Sequence, residues 1–139
     1  MGQGGGMKIV HAFPPNFAAI HAVFGYASKP GIVFSYAPDI YTMYPDNIPP
    51  EIIAHESVHI ERQLGYPGGV EAWWARYLVD REWRYFEELV AHKAEYQYVC
   101  QYGSRPARRA ALKEIAKKLA APLYDKMVTV DRAIKDIAA

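Results

Sequence analysis

Pro49-Pro50-Glu51-Ile52-Ile53-Ala54-His55-Glu56-Ser57-Val58-His59-Ile60-Glu61-Arg62-Gln63-Leu64-Gly65 is the stretch whose reading decides the fold. Two prolines open it, where a missing N–H costs nothing. Asp46 or Asn47 is placed to cap its start and Gly65 to end it, and nothing between Glu51 and Leu64 breaks a helix. Within it His55-Glu56-Ser57-Val58-His59 reads H-E-x-x-H. On a helix, positions i and i+4 lie on one face, so His55 and His59 can aim their imidazoles at one point, as two ligands of a tetrahedral zinc must. Glu56 stands beside them, where it can take a proton from an activated water. The plain alternative is an amphipathic helix with two hydrogen-bonded histidines. The face argues against it: Ile52, His55, Glu56, His59 and Gln63 form a stripe that is polar where a packing face is usually apolar. Ile53, Ser57, Ile60 and Leu64 form a second stripe, expected to bury against a core.

The rest of the chain bounds what can surround this helix. Its 139 residues are 51% hydrophobic and 14% aromatic, enough for one globular domain with a core. A net charge of +1 gives no reason to expect a polyanionic partner. The single cysteine, Cys100, excludes an internal disulfide and reads as a small buried hydrophobe. No apolar run approaches a membrane span, and Met1-Gly2-Gln3-Gly4-Gly5-Gly6 has neither the basic nor the apolar region of a secretion signal. Residues 1–7 read as a flexible glycine-rich leader and 8–139 as one domain, with no membrane and no nucleic acid expected as partner.

Upstream of the motif, Met7–Ala12 predicts a short strand, and Asn16 can cap a helix from Phe17 to Phe24 ending at Gly25. His21 on that helix reads as a packing or edge histidine. Lys29-Pro30-Gly31 is a turn, and Ile32–Tyr36 and Ile40–Met43 are strands joined through Ala37-Pro38-Asp39. Downstream, a helix is expected from about Val70 to Val79. A second runs from Arg81 or Glu82 to about Tyr102, with Asp80 as its cap and Trp83, Phe86, Val90 and Ala94 as its core positions. Of the adjacent Trp73 and Trp74, one is expected in the core and the other at a site mouth or the surface. Ser104 starts a further helix that runs to about Ala121, breaks near Pro122 and resumes from Leu123 to Ile137. Arg105, Arg108, Arg109, Lys113, Lys117 and Lys118 make this region basic, and a solvated face explains that better than nucleic-acid binding. Strands first and helices after define a small α+β domain.

Two histidines do not complete a catalytic zinc site, which takes three protein ligands and an open position. Glu71, Glu82, Glu87, Glu88, His92 and Glu95 are the downstream candidates for the third. Glu71 is too close in sequence to fold back easily. Glu88, His92 and Glu95 share one helix face by i, i+4, i+7 spacing, and Ala91 beside them is small enough for a close helix approach. His92 and Glu95 remain alternatives to Glu88 on this reading. Arg62 and Gln63 are placed either to orient ligands or to face solvent.

H-E-x-x-H followed on a later helix by Glu88 and Ala91, as E-x-x-A, resembles the gluzincin arrangement of zinc metallopeptidases. More of the chain, roughly residues 8 to 100, resembles a narrower group of small phage-encoded proteins taken to be metallopeptidases. That likeness rests on Phe13-Pro14-Pro15-Asn16-Phe17, Val33-Phe34-Ser35-Tyr36 with Asp39-Ile40-Tyr41, the motif with Arg62-Gln63, Glu71-Ala72-Trp73-Trp74 with Arg76-Tyr77, and Glu87-Glu88-Leu89 with Ala91-His92-Lys93-Ala94-Glu95-Tyr96. The resemblance implies a mostly helical zincin-like bundle, Zn²⁺ held by His55, His59 and Glu88, Glu56 as general base, and a protein or peptide as substrate. It also implies the host cytoplasm or a phage virion as location, and virion components or a second copy of the chain as partners. The rival expectation is a non-catalytic phage virion or accessory protein that keeps the fold. No residue is singled out for the oxyanion; Tyr66, Tyr77, Tyr85 and His92 are the candidates.

Overall fold

The computed structural model describes residues 6–25, 31–121 and 128–139. The leader up to Gly5, Lys29 and Pro30 of the expected turn, and Pro122 with the expected restart at Leu123 lie outside the described residues. The chain is α+β and mostly helical. Strand β1 is Ile9–His11, helix α1 Phe17–Phe24, β2 Val33–Tyr36 and β3 Asp39–Thr42. A 3-10 turn, Pro45–Asn47, leads into α2, Pro50–Gly65. Helices α3, Gly69–Val79, α4, Arg81–Tyr102, α5, Arg105–Leu119, and α6, Val130–Ala138, follow. The three strands form one sheet in the order β1-β3-β2. β1 runs parallel to β3 with Ile9 opposite Ile40, and β2 pairs antiparallel with Phe34 opposite Tyr41.

Local chemistry sets several element ends as expected. Gly25 closes α1 in the left-handed conformation, φ 70°. Asp80 accepts from the Trp83 N–H at 3.1 Å at the start of α4, and Ser104 from Ala107 at 3.2 Å at the start of α5. Three expectations fail. Asn16 stands at the start of α1 but its side chain makes no capping hydrogen bond. Neither Asp46 nor Asn47 caps α2: both lie in the 3-10 turn, and Pro49, in extended conformation, precedes the helix with no side-chain cap. Gly65 is the last residue of α2, and its exit is Tyr66, also extended; the left-handed glycines that follow it are Gly68 and Gly69, at the opening of α3. At the C-terminus α5 ends two residues early. The last helix starts at Val130, where the Thr129 hydroxyl accepts from Arg132 at 3.1 Å.

Apolar packing is divided. Ile20, Phe34, Trp73, Trp74 and Tyr77 form one cluster; Ile115, Ala116, Leu119, Ala133 and Ile137 form another between α5 and α6. A small third cluster, Ala37, Ile40 and Ile60, ties the sheet to α2. Between them α2 and α4 pack on each other through polar faces. The buried residues of α2 are His55, Glu56, His59, Ile60 and Gln63, while Leu64 is 65% exposed. The stripe expected to bury is thus the outer one apart from Ile60. On α4 Phe86 is likewise exposed, at 51%, and the buried face is Arg84, Glu87, Glu88, Ala91, His92 and Glu95. Ala91 is fully buried, and its lone methyl lets the two helices approach. Both tryptophans are buried, because each indole N–H has an acceptor: Glu87 for Trp73 and the Ser35 carbonyl for Trp74.

Gln63 fixes α2 to the sheet. Its side-chain oxygen accepts from the Ala37 N–H at 2.8 Å, and its amide N–H₂ donates to the Ser35 hydroxyl at 3.1 Å and carbonyl at 3.3 Å. Gln63 is fully buried and Ser35 nearly so, so Leu at 63 would strand the Ala37 N–H and the Ser35 hydroxyl. The expected loss for Gln63→Leu is ~1–3 kcal/mol, read as a lower urea midpoint at unchanged m-value.

Candidate metal centre

α2 contributes His55, Glu56 and His59, one turn apart and buried; α4 contributes Glu88, His92 and Glu95 from the opposite side. Glu88 reaches both motif histidines. Its Oε1 is 3.1 Å from His55 Nε2 and its Oε2 3.1 Å from His59 Nε2. The Tyr77 hydroxyl, from α3, donates to the same Oε2 at 2.6 Å. His55 Nε2 is 3.8 Å from Glu56 Oε2. Ligand atoms about 3.3 Å apart are what a tetrahedral ion with bonds of about 2.0–2.1 Å asks of its donors, and the two contacts of Glu88 with the histidines are close to that spacing.

Glu95 lies behind His55 rather than beside Glu88. Its Oε1 is 3.0 Å from His55 Nδ1 and 2.9 Å from His92 Nδ1. One carboxylate oxygen thus receives N–H from two imidazoles and fixes Nδ1 of each as a protonated nitrogen, so that Nε2 is the nitrogen each can offer an ion. His92 Nε2 is 3.9 Å from Glu88 Oε1. Both ring nitrogens of His59 and Nε2 of His92 are buried without a partner in hydrogen-bond geometry. Buried polar atoms left unpaired are rare and costly, and a cation would satisfy those that face Glu88. The donor atoms of His55, Glu56 and His59, and those of His55, Glu88 and His92, lie within 4.8 Å of one another. These buried groups can hold a metal ion.

The electrostatics point the same way. Burial pulls the His55 pKa down, but the Glu56 charge and the contacts with Glu88 and Glu95 outweigh it and push it up to about 10. Three carboxylates around one imidazole call for positive charge at that point. Burial works to raise Glu88, and the His59 and His55 imidazoles overcome it and hold the carboxylate well below its usual range. Glu95 is drawn down to about 2 against its burial, by hydrogen bonds from His55 and His92. Glu56 is raised, mainly by burial. His92 is lowered to about 4, by burial first and then by His55. Shifts of this size in one cluster mark functional sites more often than structural ones.

Two hollows reach the cluster. One, of about 290 Å³, is lined by Ile20, Phe24, Ile32, Phe34, Trp73 and Trp74 and touches His55, Glu56, His59 and Glu88. The other, of about 660 Å³, lies toward Tyr44, Asn47, His92, Glu95 and Lys118. His55 and Glu56 line both.

All four residues singled out in the motif and E-x-x-A reading, His55, Glu56, His59 and Glu88, come together. Of the remaining candidates, Glu71 and Glu82 are exposed, and Tyr66 and Tyr85 are engaged elsewhere, with Arg76 and Asp136. His21 is exposed. The contact of Tyr77 with Glu88 and the hold of Glu95 on His55 carry no signal in the sequence. Helical spacing put Glu95 on the correct face, but its side of the imidazole depends on the crossing of α2 and α4. Comparison with protein-family models, with curated proteins and with solved structures finds no match to this chain.

Glu87, next to Glu88, does different work. It accepts from Arg62 Nε at 2.8 Å and Nη2 at 2.6 Å, and from the Trp73 indole at 2.8 Å. Arg62 therefore neither orients a histidine nor simply faces solvent; it neutralises a fully buried carboxylate. Glu87→Ala is expected to lower unfolding free energy by about 2–3 kcal/mol, since hydrogen bonds to a charged group are lost and the Trp73 N–H is stranded. Denaturant titration checks it.

Proposed function

We propose that this chain is a zinc-dependent peptidase of gluzincin type, with a zincin-like bundle built on α2 and α4. The observation that carries the reading is the Glu88 carboxylate, which spans the two H-E-x-x-H imidazoles with one oxygen on each at 3.1 Å. A catalytic zinc site takes a third protein ligand beside two histidines, and a carboxylate from a later helix can supply it. His55, His59 and Glu88 would hold the ion, which when bound supplies Lewis acidity and brings the pKa of a coordinated water to about 7.

The chain's own groups would do the rest. Glu56, buried beside His55, takes a proton from the attacking water and passes it to the leaving amine. The rise in its pKa on burial moves it toward the range in which one carboxylate can both accept and return a proton. Glu95 holds His55 in its ligating tautomer, and Tyr77 holds Glu88 through the oxygen nearest His59. The aromatic hollow suits an apolar side chain of an extended peptide laid past Glu56. No helix among the described residues is long and apolar enough to cross a membrane. A phage origin, virion or host-cytoplasm location and self-association belong to the same proposal through the resemblance in sequence.

Elemental mass spectrometry of the purified chain should give about one zinc per molecule, lost in His55→Ala and in Glu88→Ala. Absence of zinc in the wild-type protein after loading would overturn the site. Glu56→Gln should keep the metal and lose hydrolysis of a casein or peptide-library substrate by at least roughly 10²-fold, the lower end of what a positioned general base contributes. Unchanged turnover in that variant would sink the mechanism.

A further inference from the structure

His92 is used by nothing in the reaction just described, yet it is built into the centre. It stands one helical turn after Glu88 on α4 and is 4% exposed. Its ring lies against that of His55, centroids 4.3 Å apart. Its Nδ1 is on Glu95 Oε1, the same oxygen that holds His55 Nδ1. The two imidazoles are therefore fixed in the same tautomer by one atom. Each turns its Nε2 toward Glu88 Oε1, His55 at 3.1 Å and His92 at 3.9 Å.

A histidine that only positioned a neighbour would have both nitrogens in use. His92 has one in use. Its Nε2 is buried and has no hydrogen-bond partner, a costly arrangement unless something else takes the lone pair. Its donor atoms fall within 4.8 Å of those of His55 and Glu88. Lys118, a cation on this side of the cluster, is 3.9 Å from the other Glu95 oxygen and is largely exposed, so it does not serve His92.

We propose that His92 Nε2 is a fourth protein ligand of the metal, giving a resting shell of three imidazoles and one carboxylate from His55, His59, His92 and Glu88. This rests on the reading of His55, His59 and Glu88 as a metal site. Four protein donors fill a tetrahedral shell, so the position a substrate or water needs is open only when the shell expands to five or His92 withdraws. Three imidazoles also favour zinc, cobalt or nickel over magnesium or calcium, whose preferred donors are oxygens.

The test is a zinc titration of the full ¹⁵N-histidine-labelled chain, followed through the ring nitrogens by NMR. Of the five histidines, three Nε2 signals should move to the metal-bound position and saturate together at one zinc per chain. His92→Gln, which retains a side-chain hydrogen-bonding group, identifies the third signal. It should lower zinc affinity by at least the roughly 10-fold that loss of an outer-shell partner already costs. Two responding signals in the wild-type chain, those of His55 and His59, would overturn this proposal and leave the peptidase site standing. No responding signal would overturn both. Because the wild-type count decides, a poorly folded variant does not blur the answer.

Discussion

Four carboxylates are buried where α2 crosses α4, and their neutralisation is the constraint on which the rest depends. Glu56, Glu87, Glu88 and Glu95 all sit in this layer. An ion taken out of water without a partner costs several kcal/mol even after the protein relaxes. The helices can lie together only in a register that supplies a counter-group to each. Arg62 does so for Glu87. Imidazoles do so for Glu56, Glu88 and Glu95. A slip of one turn along either helix would take His55 and His59 away from Glu88 and leave bare charge in the interior. The polar layer thus fixes the helix crossing more tightly than an apolar seam of interchangeable side chains would.

That layer is held from outside by apolar contacts on both sides. Trp73, Trp74 and Tyr77 of α3 close one end, and Ile115, Leu119 and Ile137 of α5 and α6 close the other. The sheet enters through Gln63, which spans from α2 to the backbone of Ala37 and Ser35. The site residues therefore stand on helices whose rotation is set by packing and by hydrogen bonds outside the cluster, as a preorganised centre needs. Tyr77 joins both systems, its ring in the aromatic cluster and its hydroxyl on Glu88.

What the sequence made legible was local. Asp80 and Ser104 announce helix starts because a short polar side chain satisfies its own backbone a few residues on, whatever the rest of the chain does. Spacing on one helix brought out His55 with His59, and Glu88 with His92 and Glu95. The outer and inner stripes of α2 were exchanged, because burial was assigned by hydrophobicity. Here the buried stripe is polar and finds its partners 26 to 40 residues away, as Gln63 does in Ala37 and Ser35 and His55 in Glu95. Phe86 was misplaced for the same reason. Its position on α4 falls opposite the layer that Glu87 and Glu88 enter, and Arg62 passes over its ring at 5.7 Å. Glu95 was weighed as a ligand because spacing shows a shared face but not which nitrogen of an imidazole a carboxylate will meet.

Glu87 and Glu88 show how one helix keeps stability and chemistry apart. One step along an α-helix turns a side chain by about 100°. That is enough to send Glu87 toward Arg62 and Trp73 and Glu88 toward His55 and His59, with no hydrogen bond in common. Glu87 meets a permanent cation and a fixed N–H, so its charge is balanced whatever happens at the imidazoles. Apart from the Tyr77 hydroxyl, Glu88 meets imidazoles, which change charge or bind ions. A fold that used Glu88 for both purposes would weaken whenever its histidines lost a proton or exchanged an ion. Separate counter-groups for the two carboxylates leave the helix pair anchored while the charge at the centre is free to vary.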